Sequence, residues 1–394
     1  MRIVSIVHPA GHEMPMLLDG DGLPIPDPNE WLIGRRSLAP TTQSRLLSEL
    51  VPLYGWAESN GIDIRQRIEG GQGFTEAEVT SGLIEALRKN SKDAKKRVGN
   101  SVFNQRLDTR NAYIKWICGE CVARHAADDR RTDRIVEIRG LVNDWLTQRV
   151  VGQPVSKKSS AKALTADQQA ALAEFLHPRF KGLGRTLATK SRNFVAIMLM
   201  LLCGFRRGEL LSLQVQDITF GAIPSVDVRL RPPDAADRRK PRPRVKRLPR
   251  TLPLDPVLAH FIDEYIMVHR ETLLEQSNLD TPYLIVSDEG DPLSISRLYA
   301  ICVELRKELE GAVPENFSPH SLRHAFSESM EKALRSAGMD ENRRAQALAL
   351  LRGDSSLASQ NVYIEREILE RANSALVKYQ GFLVAQVEQN QIPF

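Results

Sequence analysis

A short cationic stretch near the carboxyl-terminal end of the chain sets the strongest constraint on the fold. Within SPHSLRHAF, the residues His320, Arg323 and His324 are spaced so that adjacent turns of a helix would align them. Side chains at such spacings share one face of an α-helix, so we expect a helix with a cationic face here. Further along, GDSSLASQNVY places a turn at Gly353 and a tyrosine at Tyr363. A helical fold that joins these groups would collect an unusual set of reactive side chains.

Composition limits the class of protein and the partners it can have. The chain has 394 residues, of which 42% are hydrophobic, enough for two or three domains with substantial cores. Its formal net charge is +5 and its sequence pI is about 9.0, so a nucleic-acid surface would have to come from local clusters of Lys and Arg. The sequence shows no signal-peptide pattern and no apolar run of membrane-spanning length. We therefore expect a cytoplasmic protein.

The four cysteines form one C-x-x-C pair, Cys118 and Cys121, and two isolated sites, Cys203 and Cys302. No second pair completes a four-cysteine zinc site, so we expect no metal there. Cys118 and Cys121 lie within a predicted amphipathic helix. We interpret them as core thiols, which suits a reducing cytoplasm.

The chain is predicted to divide into four segments. Residues 1–40, rich in Gly, Pro and Asp, are interpreted as an irregular arm with at most one short strand, at 3–7. Residues 41–150 show the apolar periodicity of a small bundle of about four helices. Residues 151–163 read as a polar Ser/Lys linker, and residues 164–394 as a second, mainly helical domain. Two stretches of alternating pattern predict a small sheet in that second domain.

Two stretches concentrate basic side chains. In the linker, Lys157 and Lys158 would suit a chain that lies along a phosphate backbone, although a flexible solvated linker is equally consistent with the pattern. The other stretch is the loop 232–249 between the two predicted strands, for which a solvated hairpin is the alternative. Its candidate phosphate contacts are Arg238, Arg239, Lys240, Arg242 and Arg244, with Lys246 and Arg247 following them.

Four features could carry chemistry together, although each has a simpler explanation when taken alone. Arg206 follows a glycine turn and precedes Glu209 by one helical turn, a spacing that also makes ordinary salt bridges. A lysine of the basic hairpin would usually be solvated. His320 and Arg323 begin a helix, where a lone histidine is usually a structural hydrogen-bond donor. Tyr363 would usually be a packing residue.

Taken in order, three motifs resemble the tyrosine recombinase, or phage integrase, family. They are GFRRGELLSLQVQDI, HSLRHAF and GDSSLASQNVY. The family's first motif has Gly, an apolar residue, Arg and then Glu-Leu, a spacing that selects Arg206 rather than Arg207. Its His-x-x-Arg-His motif is matched by residues 320–324. Its tyrosine stands nine residues after a His or Trp, and Tyr363 stands nine after Asp354.

The resemblance covers residues 164–394 and, more loosely, residues 41–150. It implies a mainly α fold, with a helical, SAM-like DNA-clamping domain followed by an α+β catalytic domain that has a small antiparallel sheet. It implies cutting and rejoining of DNA strands through a 3′-phosphotyrosine intermediate, without metal or nucleotide cofactor. The implied partner is double-stranded DNA at a specific recombination site, with self-association into a dimer or tetramer on that DNA. Such an integrase would serve a mobile genetic element in a bacterium and associate with the nucleoid when bound.

The resemblance also assigns roles to residues. Arg206 and Arg323 would clamp the phosphate, whose developing charge is well matched by planar, charge-assisted hydrogen bonds. Tyr363 would be the nucleophile, and His320 would act in proton transfer. The remaining roles fall to Glu209, which would support the site, and to a hairpin lysine that acts as the acid, Lys246 or alternatively Lys240.

One position in the third motif departs from the family pattern. Asp354 stands where the family usually has His or Trp, and a carboxylate roughly 4 Å from the phosphate would repel it by about 4 kcal/mol at an effective dielectric of about 20. The carboxylate must therefore turn away, pair with a neighbour such as Arg352, or be protonated. This departure favours an alternative function, a catalytically impaired DNA-binding protein of the same fold with an architectural or regulatory role.

Two other patterns are open to more than one interpretation. His320 and His324 could bind zinc, but no Glu follows the first histidine as in a metalloprotease, and Arg323 would be a poor neighbour for a cation. Residues 365–389 predict a final helix with an apolar stripe. That stripe would pack either on its own domain or on a neighbouring subunit.

Overall fold

The computed structural model divides the chain into two compact units, Met1–Lys158 and Ser159–Phe394, each with its own hydrophobic core. The structure describes residues 1–7, 13–89, 96–125, 128–152, 163–179, 181–232, 234, 236–246, 248–275, 280–354 and 362–389, with the side chains of the last helix described over 367–385. No helix among these residues is both long enough and apolar enough to cross a membrane.

The first unit combines a β-hairpin with a helical bundle. Its strands are β1 (Arg2–Val7) and β2 (Glu13–Leu18), which pair antiparallel. Its helices are α1 (Pro26–Ile33), α2 (Pro40–Ser59), α3 (Ile64–Glu69), α4 (Ile84–Arg88, preceded by a π-helical turn at Glu78–Leu83), α5 (Asn100–Arg124) and α6 (Asp129–Thr147). Cys118 and Cys121 are buried, free thiols in this core, which confirms their interpretation as packing residues.

The prediction that residues 1–40 form an irregular arm is wrong. The structure has the one strand predicted at 3–7, as part of β1, and in addition the strand β2 and the helix α1. Asn29 on α1 holds β2, because its Nδ2 donates to Leu17 O (2.9 Å) and its Oδ1 accepts from the Leu17 amide (2.8 Å). Leu17 and Leu32 then pack against Leu47 of α2. The prolines misled the prediction, since a proline in the first turn of a helix, as in α1, loses no helical hydrogen bond.

The second unit is mainly helical with one small sheet, as the sequence predicts. The sheet is antiparallel in the order β3 (Ile218–Thr219), β4 (Ser225–Val228) and β5 (Arg250–Pro253). The helices are α7 (Ala166–Leu176), α8 (Leu187–Cys203), α9 (Arg207–Leu210), α10 (Pro256–Glu264), α11 (Glu271–Leu274, after a π-helical segment at Tyr265–Arg270), α12 (Ile295–Glu308), α13 (Pro319–Ser336), α14 (Glu341–Arg352) and α15 (Val362–Gln389).

Helix α8 forms the centre of the second core, and α15 packs onto the same unit. Residues 194–203 of α8 are buried all round the helix, as their apolar composition requires. On α15, the fully buried Gln380 accepts from the Asp255 amide (2.7 Å) and donates to Pro253 O (3.3 Å). The described part of the apolar stripe therefore packs on its own unit, although Phe382 is 64% exposed.

Gly204 ends α8 in a left-handed conformation with a φ of 64°. An added Cβ would overlap the ring of Phe326. We expect Gly204→Ala to lower the free energy of unfolding by about 2–4 kcal/mol, from the left-handed backbone and from overpacking. Denaturant unfolding would measure this loss. Gly338→Ala is the control, because Gly338 has a φ of 74° but open space around an added Cβ. Equal losses in the two variants would contradict the predicted clash.

Candidate active site

The turn after α8 places an arginine and a glutamate in contact. Gly204 turns the chain, Phe205 is buried, and Arg206 stands at the start of α9. Arg206 Nη1 donates to Glu209 Oε1 (2.9 Å), and the Arg206 amide donates to Glu209 Oε2 (3.0 Å). The spacing of the first motif thus produces a local ion pair with Glu209 fully buried.

Glu209 is shared by arginines from three parts of the unit. Arg250 of β5 donates through Nη2 to Glu209 Oε2 (2.9 Å), and Arg323 Nη1 lies 4.0 Å from the same oxygen. Burial alone would raise the pKa of the Glu209 carboxyl, but the charge of Arg250 and hydrogen bonds from Arg250 and Arg206 hold that pKa below its usual value. Glu209 is therefore charged at neutral pH and fixes the orientation of these guanidiniums.

Arg323, near the start of α13, is buried and converges with Arg206. Its Nη1 donates to Gly204 O, and its Nη2 donates to Arg352 O (3.1 Å). Arg206 Nη1 donates to the same Arg352 oxygen (3.0 Å). Burial and the Arg206 charge lower the pKa of Arg323 to about 9, so its guanidinium is still charged at neutral pH. Two charged guanidiniums can thus hold a single oxygen atom together.

Asp354 contacts this arginine cluster directly. Its Oδ1 accepts from Arg206 Nη2 and lies 3.6 Å from Arg323 Nη2, while its Oδ2 lies 3.2 Å from Arg352 Nε. Pairing with Arg352 is one of the outcomes expected from the sequence. Pairing with Arg206 and Arg323 was not anticipated, because nothing in the local sequence shows which distant side chains the turn at Gly353 will face.

Arg250 also belongs to the cluster, although none of the three sequence motifs includes it. Its side chain is 7% exposed, and among the described residues its Nε and Nη1 atoms are buried without a hydrogen-bond partner. A signal was available, since Arg250 and Leu252 share one face of β5 and Leu252 lies in the core. An arginine on the buried face of a strand needs an anionic partner, and here that partner is Glu209.

His320 and His324 form a contacting pair on α13. Their Nε2 atoms are 2.8 Å apart, so one ring donates a hydrogen bond and the other accepts it. Partial burial lowers the pKa of His320, and the charges of His324, Arg323, Arg352 and Arg206 lower it further. His320 is therefore neutral at pH 7 and able to accept a proton. Around this pair, the described part of the chain supplies no third ligand that would complete a metal site.

We expect His320 to titrate below the ordinary histidine pKa of about 6.5. Histidine ring signals followed by NMR across pH would measure this, with His320→Gln identifying the signal. His324→Gln removes one cause of the lowered pKa, so the pKa of His320 should move upward in that variant. A wild-type pKa for His320 above the ordinary value would contradict the prediction.

The loop between β4 and β5 is only in part the basic surface predicted from sequence. Arg238 and Lys240 are exposed. Arg239 is buried instead, with Nε donating to Asp237 Oδ1 (2.9 Å) and Nη1 donating to Leu211 O (2.8 Å). Arg239 is thus an internal structural arginine rather than the surface cation that the sequence predicts.

The second half of this loop runs beside the cluster. Arg242 and Arg244 are half-buried, and Lys246 is exposed. The loop backbone passes closely over Gly208 of α9, where an added Cβ would lie 2.5 Å from Arg244 O. Because Gly208 and Arg206 are separated by a single residue, this approach brings Arg244 of the loop close to the arginine cluster.

Three predicted site residues fall wholly or partly outside the described structure. Lys157 and Lys158 lie within 153–162, which is outside the described residues. Tyr363 belongs to the first turn of α15, but its side chain is outside the described part, as is the segment 355–361 before it. The roles predicted for these three residues remain predictions.

The chain shows similarity to known proteins in one protein-family model and in several solved structures. Residues 162–340 match the model of the phage integrase family. The chain is similar to the XerH site-specific recombinase bound to palindromic difH substrate, with 14% identity, coverage of 82% of this chain and 85% of that chain, and a TM-score of 0.40. It is also similar to the Tn1549 transposon integrase in complex with circular intermediate DNA, with 18% identity, coverage of 70% of this chain and 80% of that chain, and a TM-score of 0.38. A third similar structure is a lambda integrase dimer bound to a COC′ core site, with 15% identity, coverage of 92% of this chain and 93% of that chain, and a TM-score of 0.35. A comparison with curated proteins found no match.

Proposed function

We propose that this chain is a site-specific DNA recombinase that cuts and rejoins strands through a 3′-phosphotyrosine intermediate, a function in keeping with the match of residues 162–340 to the phage integrase family model. The observation that carries the proposal is the convergence of Arg206 and Arg323 on one oxygen atom, Arg352 O. Two guanidiniums arranged in this way can bind the two non-bridging oxygens of a phosphodiester.

The arginine pair supplies the positive charge that phosphoryl transfer needs. Charge develops on the phosphate oxygens as the attacking and leaving oxygens pass in line through the transition state. Glu209 already fixes Arg206, and Gly204 O and Arg352 O already hold Arg323, so little reorganisation is required during the reaction. The site is therefore suited to a charged, crowded phosphate.

In the proposed cleavage step, the hydroxyl oxygen of Tyr363 attacks the phosphorus. The new phosphorus–oxygen bond forms as the bond to the 5′ oxygen breaks, so the phosphodiester is exchanged for a 3′-phosphotyrosyl ester and a free 5′ hydroxyl. His320, neutral at pH 7, accepts the tyrosine proton, and Lys246 or alternatively Lys240 delivers a proton to the 5′ oxygen. Rejoining reverses these steps with the 5′ hydroxyl of another strand.

The proposal extends to the DNA-contacting surface and the assembly. Residues 41–150 would clamp the duplex, and residues 164–394 would carry the catalytic site. Self-association into a dimer or tetramer on DNA would bring the strands to be exchanged together, in the cytoplasm and nucleoid of a bacterium that carries the mobile element. Binding should weaken steeply with salt, because phosphate contacts release counterions. The proposed phosphate contacts are Lys157, Lys158, Arg238, Lys240, Arg242 and Arg244.

A second candidate function is a DNA-binding protein of this fold with impaired catalysis and an architectural or regulatory role. The observation that favours it is the carboxylate of Asp354, which lies against both arginines of the proposed phosphate site. In this alternative the arginine pair is structural, and DNA is held without being cut.

Covalent capture of DNA distinguishes the two candidates. The substrate is a nicked duplex with the end sequence of the element that carries the gene, so that the cut fragment diffuses away and rejoining is blocked. The recombinase should give a protein–DNA adduct that survives denaturant. Tight binding without an adduct, on several candidate end sequences, would favour the architectural function.

A further inference from the structure

The carboxylate of Asp354 is held in place by the backbone at the end of α14. Asp354 follows Gly353, whose φ of 62° turns the chain. A side chain would not fit at Gly353, because a Cβ would lie 2.6 Å from Arg250 Nη1 and 2.9 Å from Leu248 O. The Asp354 amide also donates to Ala349 O (2.8 Å). This turn therefore directs the carboxylate against the arginines.

Both oxygens of that carboxylate are engaged by guanidiniums. Oδ1 contacts Arg206 and lies 3.6 Å from Arg323 Nη2, and Oδ2 lies 3.2 Å from Arg352 Nε. Two anionic oxygens held by planar guanidiniums are also the pattern in which a phosphodiester is bound. The side chains of Arg206 and Asp354 are 27% and 23% exposed, so an anion can reach the pair from solvent.

We propose that Asp354 is an internal anion that occupies the phosphate site of the arginine pair until DNA displaces it. This inference rests on the proposed function, because it takes a DNA phosphate as the ligand of Arg206 and Arg323. The carboxylate and the phosphate carry like charge and need the same donors, so they exclude each other. Only a phosphate that is also held by contacts elsewhere on the duplex displaces the carboxylate. Asp354 thereby makes engagement of the arginines depend on the rest of the DNA surface.

Removing the charge of Asp354 while keeping its shape tests this competition. Asp354→Asn is expected to bind a fluorescent duplex of arbitrary sequence about tenfold more tightly than the wild type at low salt, since a like charge beside the phosphate is lost and solvent screens part of the effect. Anisotropy titration measures the affinities. Glu328→Gln is the matched control, because Glu328 is an exposed carboxylate of α13 that pairs with Lys332 (3.1 Å) and its loss changes the net charge equally.

If Asp354 competes with DNA for the arginine pair, the gain in DNA affinity must depend on Arg206 and Arg323. Arg206→Gln removes one of the two guanidiniums, so adding Asp354→Asn to that variant should give a gain of less than about threefold. Asp354→Ser is tested in parallel, because a serine is too short to take over the hydrogen bonds that an asparagine could make to Arg323 and Arg352.

The outcomes separate this inference from the proposed catalysis. Equal affinities for the Asp354 variants and Glu328→Gln would overturn the inference, and so would a full gain in the Arg206→Gln background. Adduct formation by the wild type is scored on its own. A tenfold gain without any wild-type adduct would support the anion competition and count against the catalysis. A wild-type adduct without tighter DNA binding by the Asp354 variants would support the catalysis and overturn the anion competition.

Discussion

Tyr363→Phe is expected to abolish the covalent protein–DNA adduct while leaving the affinity for DNA within about threefold of the wild type, because the substitution removes the attacking oxygen but no charge. The adduct would be measured on the nicked duplex after denaturing electrophoresis, and the affinity by anisotropy. Phenylalanine differs from tyrosine only by the missing hydroxyl, so we expect the variant to fold like the wild type. The expected loss is complete, since phenylalanine at position 363 has no oxygen atom that can attack the phosphorus.

The chain offers a matched control in the same helix. Tyr379 is half-buried on α15, and its hydroxyl donates to Gln169 Oε1 (3.0 Å). Tyr379→Phe should cost about 1 kcal/mol of stability, the value of a typical hydrogen bond, and leave adduct formation unchanged. An adduct that persists in Tyr363→Phe, or that disappears in Tyr379→Phe without unfolding, would contradict the assignment of the nucleophile.

What the sequence predicted well is local in origin. The contact between Arg206 and Glu209 follows from their spacing across one helical turn, and the contact between His320 and His324 follows from their spacing along α13. Such spacings depend only on helix geometry. They place these side chains correctly without any knowledge of the tertiary fold.

What the sequence did not predict depends on contacts between distant segments. Arg250 reaches Glu209 across 41 residues, and Asp354 reaches Arg206 across 148. These contacts are set by how β5 and the end of α14 pack against α9, which no local period encodes. Arg239 illustrates the same limit, since the acceptor at Leu211 that helps to bury it lies in a different part of the unit. The Asp237–Arg239 ion pair is local, but the burial that makes it internal is not.

The arm at residues 1–40 shows a different source of error. Its glycines and prolines are common in irregular segments, and the prediction gave them that meaning. In the structure, however, Pro26 begins α1, where a proline loses no helical hydrogen bond, and Asn29 supplies the hydrogen bonds that join α1 to β2. Composition alone cannot distinguish a proline that begins a helix from one that interrupts it.

Arg323→Ala is expected to lower the single-turnover rate of adduct formation by roughly 10²–10³-fold, the usual cost of removing one preorganised donor to a developing charge. Arg323→Lys should recover only part of this rate, because lysine keeps the charge but lacks the planar fork that spans two oxygens. Rates are measured at saturating DNA, so that they report the chemical step rather than binding.

Stability must be separated from catalysis in this experiment, because Arg323 is 5% exposed and holds Gly204 O. Losing that bond should cost about 1–3 kcal/mol, so the rates are compared at a temperature where thermal unfolding shows each variant to be folded. Arg335→Ala is the control, since Arg335 is an exposed arginine of the same helix whose Nη2 lies 3.4 Å from Glu331 Oε1. The Arg335→Ala variant should form the adduct at the wild-type rate. A folded Arg323→Ala variant that forms adduct at the wild-type rate would remove Arg323 from the phosphate site, and with it the convergence of guanidiniums on which the proposed chemistry depends.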